Sequence, residues 1–150
     1  MDYSKTIVAV SLEDENVEAL TQIHDLPFTE TSQIHLVHVF EIHQLSIDFI
    51  PNMHLSPEDL FAVEKWGEDR LIQVRDKMGF SEKNCVVKCL ISTNPRQEFL
   101  NYADTHGATL IVAVAKEREG VKGLFESSFT NFLSKFSKAN LLLLRTGTKR

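Results

Sequence analysis

Five short, nearly continuous apolar runs divide this chain, at 6–10 (TIVAV), 34–40 (IHLVHVF), 85–91 (CVVKCLI), 110–114 (LIVAV) and 141–144 (LLLL). A strand with one face in water alternates apolar and polar residues. A strand covered on both faces has no need to, and most of these runs barely alternate. They predict a parallel sheet enclosed between helical layers, provided that helices lie between the strands.

Helical patterns fill the gaps. Residues 14–24 place Val17 with Leu20, and Ala19 with Ile23, at helical spacings. Further on, Ser56 suits an N-cap, Pro57 the first helical position, Asp59 the capping-box position and Gly79 the stop. The inner stripe of that helix is Val63, Gly67, Leu71, Val74 and Met78. A third helix opens at Asn94 and Pro95, with Gln97 in the box position, and stops at Gly107. The fourth carries Phe125, Phe129, Phe132 and Phe136, a stripe read as core. The alternation β-α-β-α-β-α-β-α-β predicts one open, doubly wound, Rossmann-like α/β sheet with helices on both faces. A chain of 150 residues then forms one domain over 1–150, large enough to need no disulfide or metal. Residues 41–55 show no clear period and read as a long connection of the kind that carries function.

Charge and composition limit the partners. Twenty-one acidic residues against sixteen basic give a net charge of −5, which repels a polyanion and argues against nucleic acid. The longest apolar run, 110–115, falls far short of the ~20 residues that cross a bilayer, and residues 1–5 lack a signal pattern. No membrane partner and a cytoplasmic location are expected. Cys85 and Cys89 share one strand face about 13 Å apart, given about 3.3 Å per residue. A disulfide needs its Cβ atoms about 3.8 Å apart, so both are read as buried thiols.

In doubly wound folds, ligands sit beyond the C-terminal ends of the strands, where strand order reverses. That points to residues 11–14, 40–43 and 115–130. No catalytic or metal constellation falls there. His35 and His38 point to opposite faces of one strand, His43 and His54 lack a partnering motif, and His24 and His106 sit near helix ends. A GxSxG elbow, a Walker loop and a GxGxxG turn after the first strand are all absent. What remains is the charged, glycine-containing stretch 115–130, which runs from a strand into a helix bearing Ser127, Ser128 and Thr130 and suits an anion.

Taken together, TIVAVSLEDENVEAL, IHLVHVFE, STNPRQEFLNYADTHGATLIVAV and GVKGLFESSFTNFLSKFSKANLLLLR resemble the universal stress protein family in order, spacing and total length. The resemblance implies a five-stranded sheet of order 3-2-1-4-5 and a homodimer through the last strand, here Leu141, Leu142, Leu143 and Leu144. ATP-binding members carry a glycine, two residues, a second glycine, nine residues, and a third glycine followed by Ser or Thr. Aligned without gaps, those glycines fall on Val114, Glu117 and Ser127, so all three are missing. The acidic residue that follows the first strand in the family is replaced by Ser11. Positions left from the family's nucleotide site are Ser11, Val39, Val114, Lys116, Glu117, Ser127, Ser128 and Thr130. A glutamate ~4 Å from a phosphate charge costs ~1 kcal/mol in water and ~4 kcal/mol at a surface-like dielectric. Lys116 and Arg118 offset this only if they turn inward. The resemblance thus implies a non-catalytic stress-response dimer with a degenerate nucleotide site and no cofactor, acting through an unknown protein partner or a small ligand. The alternative is an ATP- or AMP-binding switch with an atypical phosphate loop.

Overall fold

The computed structural model describes residues 1–48, 56–115 and 128–146, with backbone only for residues 15, 46–48 and 128. Five parallel strands form one sheet: β1 (Lys5–Ala9), β2 (Gln33–Glu41), β3 (Cys85–Ser92), β4 (Leu110–Ala115) and β5 (Asn140–Arg145). Their order is β3-β2-β1-β4-β5, as the family resemblance implies. Helices α1 (Asp14–Leu20), α2 (Ile42–Asp48), α3 (Pro57–Met78), α4 (Pro95–Thr105) and α5 (Ser128–Phe136) occupy the connections.

The sheet separates two apolar layers. On one side Val8, Leu36, Cys85, Cys89 and Val112 meet Leu20 of α1 and Leu71, Val74 and Met78 of α3. On the other, Ile7, Val37, Ile111 and Ala113 meet Phe99, Leu100 and Ala103 of α4 and Leu133 of α5. Each fully buried Leu or Ile contributes about 1.5–3 kcal/mol, so these layers hold the sheet between its helices. The α3 stripe lies inward from end to end, and the helix begins as its sequence dictates. Ser56 Oγ accepts from Asp59 N at 3.2 Å while Asp59 Oδ2 accepts from Ser56 N at 3.1 Å. Gly79 ends it in the left-handed region, at φ 75°.

Four expectations need correction. Residues 41–55 are not wholly irregular: β2 runs to Glu41, and α2 follows at once. Glu41 Oε2 accepts from Gln44 N at 2.6 Å, and Leu45 is buried. Such a helix is too short for its period to show. The first helix stops at Leu20 and tightens into a 3-10 turn at Thr21–Asp25. Phe136, the last residue of α5, is 60% exposed, because Thr130 and Leu133 are the buried residues of that helix among those described, and Phe136 lies tilted against Phe132 instead. Phe125 lies outside the described residues. Finally, β3 is covered on one face only over its first half, with Val86 and Lys88 in solvent, while Leu90 further along packs into the layer that holds Phe99 and Leu100 of α4.

Candidate ligand pocket

Strand order reverses between β1 and β4, so the connections leaving these two strands travel in opposite directions and a crevice opens above their C-terminal ends. A cavity of about 340 Å³ occupies it. The end of β1 supplies Ala9, followed by Val10 and Ser11; the N-cap of α1 adds Glu13 and its first turn Asn16. Strand β2 gives Val37, His38 and Val39, the first turn of α4 gives Pro95, Arg96 and Phe99, and Val114 and Phe129 close the far side. The walls are mostly apolar, with a few polar groups converging on them, as small-molecule sites usually are.

Two bonds pin the floor of this pocket. Val10 N donates to Val37 O at 2.8 Å, and His38 Nδ1 lies 2.6 Å from Val10 O. A carbonyl only accepts, so Nδ1 carries the proton and Nε2 is left as an acceptor. Burial pushes the His38 pKa down, against the opposing pull of that carbonyl, so the ring is neutral at pH 7. His38 therefore offers a neutral ring rather than a cation.

Of the positions singled out in the sequence, Ser11, Val39 and Val114 line the cavity. Thr130 is buried, at 1% exposure, and is not among the lining residues. Ser128 starts α5, but its side chain, together with Lys116, Glu117, Arg118, Lys122 and Ser127, lies outside the described residues. Sequence reasoning passed over Asn16, His38 and Arg96. Each carried a signal. Asn16 begins the stripe continued by Ala19, Leu20 and Ile23, where an apolar residue belongs, His38 interrupts an apolar strand, and Arg96 puts a cation in the first turn of a helix, against its macrodipole.

His35, His106 and the two cysteines lie away from the cavity lining. His35 leaves the opposite face of β2, where its Nδ1 lies 2.6 Å from Tyr102 Oη, and His106 stacks on Tyr102 at 3.9 Å between ring centroids. Burial pushes both cysteine thiols up to about 12, far from a reactive thiolate. Among the described residues no group of three or more His, Cys, Asp or Glu side chains is placed to hold a metal ion, and no helix is long and apolar enough to cross a membrane.

The geometry has counterparts in known structures. Hypothetical protein MJ0577 superposes with a TM-score of 0.72 at 15% identity, over 98% of this chain and 99% of its own. The universal stress protein UspA from Lactobacillus plantarum gives 0.69 at 17% identity, over 97% and 99%. A universal stress protein from Archaeoglobus fulgidus, solved in complex with dAMP, gives 0.62 at 16% identity, over 96% and 99%. At these identities the likeness shows the fold. No curated protein matches the chain in sequence. The family model described as the universal stress protein family matches residues 2–145, which is nearly the whole sequence, and the chain therefore belongs to that family.

Proposed function

We propose that this chain is a non-catalytic stress protein whose nucleotide site has degenerated, and that it acts by binding a small ligand other than ATP or a protein partner. Val114 carries this reading. It stands where the ATP-binding pattern has its first glycine, and its β-branched side chain lines the cavity at the end of β4. A glycine there leaves bare backbone for a phosphate to approach, whereas an isopropyl group blocks it. Ser11, a neutral hydroxyl in place of the family's acidic residue, supports the same reading. A cytoplasmic homodimer across β5 completes it: among the described residues β5 pairs with β4 alone, which leaves a row of its backbone groups for a second copy to meet.

The test is a titration of protein purified without nucleotide, using Mg-ATP and AMP and read by melting temperature and calorimetric heat. The expected result is no response at millimolar ligand. A ligand at about 100 times its dissociation constant adds about 2.7 kcal/mol, so a clear upward shift overturns the proposal.

A nucleotide-binding switch is the second reading, favoured by the dAMP bound in the Archaeoglobus fulgidus protein. Lys116, Arg118, Lys122, Ser128 and Thr130 would then hold phosphate, and the same titration decides between the two.

A further inference from the structure

We propose that the pocket takes a small organic monocarboxylate with an apolar body, its carboxylate held by Arg96 at the first turn of α4 and a second polar group met by Asn16. This rests on the reading of the pocket as a site for a ligand other than ATP and names that ligand's class.

The first observation is Asn16. It lines the cavity, is 5% exposed, and its carboxamide makes no hydrogen bond to any described residue. Its amide atoms still reach solvent through the cavity, where water or a ligand can complete them. Its donors and acceptor are available to a molecule in the cavity.

Arg96 is the second. It lines the same cavity and makes no ion pair with any described residue. Its guanidinium stands 5.5 Å over the Phe132 ring, which orients it without neutralising it. Pro95 has no N–H, and Asn94 accepts from the amides of Gln97 and Glu98. The Arg96 amide is thus the open donor of the first turn. In this 11-residue helix the positive end of the macrodipole and the guanidinium add, and a carboxylate satisfies both.

The body and the charge of the ligand follow from the rest of the cavity. Val37, Phe99 and Phe129 form an apolar bed for the ligand's body, and about 340 Å³ is near the lower end for ligand sites, which suits one ring or a short branched chain. Glu13 also lines the cavity, and the chain carries a net charge of −5. Both penalise a multiply charged phosphate more than a single carboxylate.

Phenylacetate, its neutral counterpart phenylacetamide, and AMP serve as probes on the full chain, in thermal-shift and calorimetric titrations. Phenylacetate is expected to stabilise the protein at millimolar concentration and to bind about tenfold more tightly than the amide, as a charge-assisted contact requires. Arg96→Gln, at an exposed position, is expected to abolish that preference. Asn16→Leu is expected to weaken both probes while keeping it. Equal binding of acid and amide, a preference that survives Arg96→Gln, or no binding of either overturns the proposal. If neither probe binds and AMP is also silent, this inference fails while the degenerate-site reading stands; if AMP binds, that reading fails as well.

Discussion

His38 Nδ1 donates to the carbonyl oxygen of Val10 at 2.6 Å, tying the chain just beyond β1 to a side chain of β2 at the floor of the switch-point crevice. The bond fixes the tautomer of the ring and the course of the backbone toward Ser11. His38→Leu keeps the bulk but leaves the Val10 carbonyl unmet. It is expected to cost about 1–3 kcal/mol in the urea midpoint and to loosen any ligand bound in the cavity.

Stability is expected to fall on acidification, with His35 a main cause and buried His38 acting in the same direction. Burial foremost, then Lys5 and His106, holds the His35 pKa at about 4, against 6.5 for an unperturbed ring. Below about 6.5 the unfolded chain takes up a proton that the folded chain refuses until about 4, so the stabilisation is complete above that window and lost through it. The urea midpoint should drop between pH 6.5 and 4, and His35→Gln should flatten the decline. A midpoint that does not change across this range would contradict the assignment.

Gly67 of α3 lies so close to Cys89 that a Cβ there would collide with the Cys89 sulfur and touch the Phe40 ring. Alanine at a helix interior ordinarily gains about 1 kcal/mol over glycine. Gly67→Ala is nevertheless expected to destabilise by about 1–3 kcal/mol, the range for overpacking a filled core. Cys89→Ala in the same chain should recover part of the loss, and thermal melts of the single and double variants measure it.

Cys85 and Cys89 are buried, with thiols held at about 12. At pH 8 that leaves about one thiolate in ten thousand. Both should resist a thiol-reactive dye in the native state and react at the rate at which the chain opens. Prompt labelling would show that β3 exchanges more freely than its packing allows.

If β5 joins two copies, a charge on that edge should separate them. Leu143→Lys, at a partly buried position packed on the layer of Ile7 and Leu133, is expected to turn a dimer into a monomer in sedimentation equilibrium with the far-UV signal retained and a lowered melting temperature. A wild-type chain that sediments as a monomer removes this part of the proposal.

The parallel sheet and the α3 stripe were legible in the sequence because they rest on dense signals, such as unbroken strand runs and a capping box of Ser56 and Asp59, whereas the order of the strands came from the family resemblance. Helix α2 was not legible, since seven residues span too few turns to establish a period. The pocket was legible by place but not by membership. Ser11, Val39 and Val114 were found from strand ends and family pattern, whereas Asn16, His38 and Arg96 come from three separate elements. Only the closed sheet brings Asn16 and Arg96, 80 positions apart in the sequence, to one cavity.

The central strand, β1, pairs with β2 and with β4, and Lys5 N donates to Thr109 Oγ1 across a separation of 104 residues. A chain emerging from the ribosome therefore offers β1 one partner early and the other only after about three quarters of synthesis is over. Until then the future middle of the sheet is an open apolar edge. Its protection in that interval falls to the chaperones and to the speed of translation.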